Sequence, residues 1–134
     1  MNMPGLKLLL DTHILLAALI DPDTLPRAVQ QDISNPGNTI LFSAASIWEI
    51  AIKYSLGRDD FDFRPEDIQQ LAEKTGFTEL PIFARHTQAV TDLPWHHRDP
   101  FDRLLIAQAQ SVPAYLYSRD SLLAKYSDLV KLVS

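Results

Sequence analysis

The segment Leu6-Lys7-Leu8-Leu9-Leu10 constrains the fold most. Its nearly continuous apolar character is that of a short buried strand, as parallel strands are when helices cover them. The run stops at Asp11-Thr12, and Ile14, Leu15, Leu16 and Leu19 continue as a helix of about two turns. Asp21-Pro22-Asp23 ends that helix. Pro26 opens a second helix with Val29 and Ile33 on one face, closed by Asn35-Pro36-Gly37. A strand over 39–42 follows, and Ser43 caps a helix over 44–54 that Gly57 terminates. The spacing predicts a helix over 65–74, a third strand within 77–82, broken late by Pro81, and a short helix over 84–91. Asp99, Pro100 and Asp102 form a helix start at the cap, first and third positions. The apolar body of that helix reaches Ala109, and a strand over 115–117, a short helix through Leu122, Leu123 and Tyr126, and a strand over 129–133 complete the chain. Strands alternate with helices throughout, which predicts one α/β domain over residues 1–134, an α/β/α sandwich with a mainly parallel central sheet.

Composition narrows the chemistry. The 134 residues suffice for a core without staples, and the lack of cysteine excludes disulfides and thiolate metal sites. That suits a reducing cytoplasm, the expected location. The apolar runs are interrupted by Lys7, Asp11 and His13, so no membrane span is expected, and the first residues lack the pattern of a signal peptide. A net charge of −5 argues against a partner held mainly through phosphate contacts, unless bound cations neutralise several carboxylates.

The acids are where the sequence is informative. Ligands of parallel sheets collect at the carboxyl ends of strands. Asp11 ends the first strand, Asp120 follows the strand over 115–117, and Asp99 and Asp102 open a helix at the same edge. Glu49, two turns into its helix, lies within reach of that edge. Asp11, Asp99 and Asp120 could each be helix caps, and Glu49 a partner of Lys53 at i,i+4. Trp48, Ile50 and Ile52 flank Glu49, however, and a carboxylate among large apolar groups is costly unless paired. One hard divalent cation site accounts for all of these acids together.

Three segments carry a resemblance: Leu-Leu-Leu-Asp-Thr-His at 8–13, Ser-Ala-Ala-Ser-Ile-Trp-Glu-Ile-Ala-Ile-Lys at 43–53, and His-Arg-Asp-Pro-Phe-Asp-Arg-Leu-Leu-Ile-Ala-Gln-Ala at 97–109. In this order they resemble the PIN-domain family, most closely the VapC-type ribonuclease toxins of bacterial toxin–antitoxin pairs. The resemblance implies that Asp11, Glu49, Asp102 and Asp120 are the catalytic, metal-binding quartet, with Asp99 an auxiliary acid or a plain cap. Thr12 and Ser118 match the hydroxyl positions beside the first and last acids, where many relatives have Thr in place of Ser118. It also implies Mg²⁺ or Mn²⁺, one or two ions per chain, and endonucleolytic RNA cleavage leaving a 5′-phosphate. Four carboxylates and two divalent ions would leave the rim near neutral, so Lys53, Arg58, Arg98 and Arg103 could receive RNA. The partners implied are a small VapB-like antitoxin, whose Arg or Lys would enter the acid rim, and a second copy of the chain as a homodimer. The apolar face of 47–54 and the segment 61–63 are candidate docking surfaces.

Other functions compete. His13, His86 or the pair His96-His97 could act as general acid and base on a ribose 2′-OH without metal, but spacing ties none of them to a second group. His97 is instead expected to contact a carboxylate or the helix start. A receiver-like signalling module requires paired acids after the first strand, and here Thr12 follows Asp11. An Asp-x-Asp phosphatase fails because position 13 is His. A catalytically silent PIN-like interaction module is the remaining alternative.

Overall fold

In the computed structural model, residues 5–134 are described. The expectation about a signal peptide falls partly on residues 1–4, which lie outside them. Five strands form one sheet: β1 (Lys7–Leu10), β2 (Thr39–Ser43), β3 (Thr78–Leu80), β4 (Tyr115–Ser118) and β5 (Val130–Leu132), in the order β3-β2-β1-β4-β5. All four pairings are parallel, with Leu10 opposite both Phe42 and Tyr117. The helices are α1 (Thr12–Ile20), α2 (Arg27–Ser34), α3 (Ala44–Ser55), α4 (Pro65–Lys74), α5 (Ala84–Ala89) and α6 (Pro100–Ser111).

Alternation along β1 builds two cores from one strand. Leu8 and Leu10 point into a cluster with Ile14 and Leu15 of α1, Ile50 of α3 and Ile68 of α4. Leu9 points the opposite way, against Leu105, Ile106 and Ala109 of α6. All three leucines are fully buried, each burial contributing about 1.5–3 kcal/mol. The result is the expected α/β/α sandwich. Its sheet is wholly parallel among the described residues.

Several elements end earlier than the sequence pattern suggests. β3 covers only three residues because Pro81 removes a ladder donor. The expected helix over 84–91 divides into α5 and a 3-10 turn at Val90–Asp92. The helix expected after Asp120 shrinks to a 3-10 turn at Leu123–Lys125. None of the helices among the described residues is long and apolar enough to cross a membrane.

The strand order places a topological reversal beside β1. From β1 the chain moves outward to β2 and β3, then returns to β4 on the other side. Connections leaving the carboxyl ends of β1 and β4 diverge there, and such a crevice is the usual ligand site of an open parallel sheet.

Candidate metal centre

Asp11 and Asp120 flank that reversal. Asp11 follows β1 directly and caps α1, its Oδ1 accepting the Ile14 amide at 2.9 Å. Only 5% of it is exposed. Burial raises its pKa, opposed by hydrogen bonds from the Ser118 hydroxyl and the Ile14 amide. Ser118 Oγ also accepts the Asp120 amide at 3.0 Å. One buried hydroxyl therefore ties both acids to the end of β4, which a threonine could do equally.

Thr12 acts on Glu49. Its hydroxyl donates to Glu49 Oε1 at 2.7 Å, with Ser46 Oγ 2.9 Å away. Lys53 Nζ pairs with Glu49 Oε2 at 2.9 Å. The sequence argument that apolar neighbours crowd Glu49 does not hold: Trp48 and Ile52 are exposed and only Ile50 is buried. Residues adjacent in a helix do not face each other. Ser46, three residues before Glu49 on the same face of α3, meets the same Thr12 hydroxyl.

On α6, Asp99 is the N-cap, its Oδ1 accepting the Phe101 amide at 2.8 Å and the Asp102 amide at 3.3 Å. Asp102 stands in the first turn, its carboxyl pushed up to about 7 by burial first and then by Asp99 and Asp11, with His97 opposing. His97 Nε2 lies 3.1 Å from Asp102 Oδ2 and 2.7 Å from Asp120 Oδ2. Ligand atoms of His97, Asp102 and Asp120 all fall within 4.8 Å of one another. Carboxylate oxygens this concentrated, with Asp102 raised by burial and then by its acidic neighbours, suit a hard divalent cation. An open cavity of about 510 Å³ lies beside the amino ends of β2 and β3, among Gln30, Asn38, Ile40 and Phe77.

Residues 8–129 match the family model of the PIN domain. The chain belongs to the PIN-domain family. PIN domains are, as a family, nucleases. No match was found among curated protein sequences. Among solved structures, this PIN domain is similar to VapBC2 from Rickettsia felis bound to a DNA fragment from their promoter. The identity is 16%, the TM-score 0.69, and the alignment covers 96% of this chain and 100% of that one. It is also similar to VapBC-1 from nontypeable Haemophilus influenzae, at 16% identity and TM-score 0.65, covering 95% and 98% of the two chains. At these identities the likeness establishes the fold.

The cations around the PIN-domain centre differ from one another. Arg98 is exposed, Arg58 pairs with Asp60, and Lys53 is engaged by Glu49. Arg103 is a correction to the sequence analysis, because it is only 3% exposed and so is not presented to RNA. Its guanidinium donates to the Val90, Leu93, Pro94 and His97 carbonyls and to the Tyr126 hydroxyl. These partners are backbone oxygens and a distant tyrosine, which leave no spacing signal in a sequence. His86 is buried against Gln108, away from any carboxylate partner, and His96 packs edge-on against Tyr126. The candidate docking residues Ile47, Phe61 and Phe63 pack against the first core cluster.

Proposed function

We propose that this PIN domain is a divalent-cation-dependent endoribonuclease and the toxin of a VapBC-type toxin–antitoxin pair. The observation that carries this is the gathering of Asp11, Asp102 and Asp120 at the sheet reversal, with Asp102 raised to about 7 by burial and neighbouring acids. Such a surplus of negative charge is relieved by cations. Asp11, Glu49, Asp102 and Asp120 would hold one or two Mg²⁺ or Mn²⁺ ions, while Asp99, with its Oδ1 committed to the helix cap, shapes the charge around them. Bound there, a divalent cation supplies the Lewis acidity that makes water nucleophilic near neutral pH and offsets charge gathering on the phosphate.

The chain's own residues do the rest. Ser118 holds Asp11 and Asp120 in mutual register, and Thr12 orients Glu49. Arg98, and Lys53 once released from Glu49, meet the phosphates on either side of the scissile bond. Both solved relatives bear the names of toxin–antitoxin complexes, which supports a small antitoxin as partner; the working unit in this reading is a homodimer. An antitoxin arginine would pair bidentately with the acids in place of the cation. A complex whose antitoxin leaves the acid rim open would contradict that arrangement.

The deciding experiment combines purified protein with RNA and Mn²⁺. Cleavage leaving 5′-phosphate ends is expected, abolished by EDTA or by Asp11→Asn. Activity persisting in EDTA, or 2′,3′-cyclic phosphate ends, would refute the mechanism. A protein that neither binds Mn²⁺ nor cleaves would be a silent interaction module.

A further inference from the structure

The Asp102–Asp120 pair is held by more than its own helix and strand. His97 Nε2 stands 2.7 Å from Asp120 Oδ2 and 3.1 Å from Asp102 Oδ2, while Nδ1 accepts the Asp99 amide at 3.1 Å. With Nδ1 an acceptor, the ring hydrogen sits on Nε2, shared between the two carboxylate oxygens. A ligating histidine has the opposite arrangement, with a bare nitrogen toward the ion and its other N–H donated to an acceptor. Here the far nitrogen faces a backbone donor. The imidazole is built to donate, not to ligate.

A clamp sets that imidazole in place. The His97 amide donates to the Tyr126 hydroxyl at 2.8 Å, and Arg103 Nη1 lies 3.4 Å from the His97 carbonyl and 2.9 Å from that of Pro94. Arg103 Nη2 holds the Val90 carbonyl at 3.1 Å, and the guanidinium lies 3.9 Å over the Trp95 ring. No carboxylate is an ion-pair partner of Arg103 among the described residues, so carbonyl dipoles meet its charge. Adjacent positions on one helical turn therefore carry an acid of the centre and the cation that fixes the segment bonding to it.

We infer that His97 is a positioning residue of the cation centre: its Nε2–H fixes Asp102 and Asp120 at a ligating separation, and Arg103 with Tyr126 aims it. This rests on the cation-dependent function proposed above. Without the bridge, the shared donor that holds the two carboxylates together is lost, their like charges drive them apart, and cation binding must gather them again.

Mn²⁺ titration calorimetry on wild type, His97→Ala and His97→Gln tests this, with pulsed EPR of the bound Mn²⁺. His97→Ala is expected to weaken binding 10–100-fold, the usual effect of losing a group that orients a ligand. His97→Gln keeps an amide donor at similar reach and should bind within about threefold of wild type. The EPR spectrum should carry no coupling from a directly bound nitrogen. Arg103→Met should weaken Mn²⁺ binding as His97→Ala does, with no further loss in the double variant. An unaffected or tighter His97→Ala, a Gln variant as weak as the Ala one, or a bound-nitrogen signal would overturn the bridge. Additive losses would remove Arg103 from it. Wild-type protein that binds no Mn²⁺ refutes the cation centre itself, and the bridge with it, whereas wild-type binding with an unaltered His97→Ala sinks the bridge alone.

Discussion

Asp102 is costly to the protein in the absence of cation, so Asp102→Asn should stabilise the metal-free fold. Its carboxyl rises from 3.8 to about 7, roughly three units, and each unit corresponds to about 1.4 kcal/mol. The ceiling is thus about 4 kcal/mol. Water reaches 22% of the side chain and the first turn of α6 can relax, so about 2 kcal/mol is the working figure. Asparagine keeps an oxygen to accept from His97, and the hydrogen-bonding loss is small. The sign follows from proton counting. Below pH 3.8 both folded and unfolded chains hold the proton and there is no penalty. Between 3.8 and about 7 only the folded chain keeps it, so wild-type stability falls as pH rises. Above about 7 the full penalty is present. Asp11 is raised by burial in both proteins, so that burial penalty is common to them. Thermal unfolding in EDTA should show the variant level with wild type near pH 4 and about 5–10 °C above it at pH 8. Mn²⁺ at a hundred times its dissociation constant should then raise wild type by about 2.7 kcal/mol and leave the variant nearly unmoved. Equal melting temperatures at pH 8, or a difference that does not vary with pH, would refute the reasoning.

Other perturbations probe the same centre. Because Asp102 is about half protonated at pH 7, Mn²⁺ binding there should release about half a proton, seen as a dependence of the calorimetric heat on buffer ionisation enthalpy. Ser118→Ala should lower cleavage or Mn²⁺ affinity at least about tenfold, while Ser118→Thr keeps both, since only the hydroxyl links Asp11 to the Asp120 amide. Lys53→Met should change chemical stability by less than about 0.5 kcal/mol in urea titrations, as partly exposed i,i+4 pairs contribute little. Leu9→Ala, in contrast, should cost about 2–5 kcal/mol in the same assay, because it empties a fully buried position beneath α6.

The parallel sheet was legible because an apolar run such as 6–10 has few other uses, and the ends of such strands then locate Asp11 and Asp120. Asp99 and Asp102 were legible from helix-start chemistry alone. What the sequence concealed was whichever contact runs to backbone atoms or between distant elements. Arg103 looked like a surface cation, but its partners are the carbonyls of Val90, Leu93, Pro94 and His97, which every residue type carries. Glu49 was singled out for apolar neighbours, two of which, Trp48 and Ile52, prove to be exposed, and what it meets is a hydroxyl from α1. The extent of β3 depended on where Pro81 took effect, a matter of one or two residues that pattern cannot fix.

The strand order has one more consequence. Asp11 and Asp120 become neighbours only when β4 docks beside β1, and β2, β3 and six helices lie between those two strands along the chain. A chain that stops before β4 lacks Asp120 and so has no complete centre. Under the proposed function, cleavage would then begin only once β4 has paired with β1, and activity would report on that long-range pairing rather than on any shorter fragment.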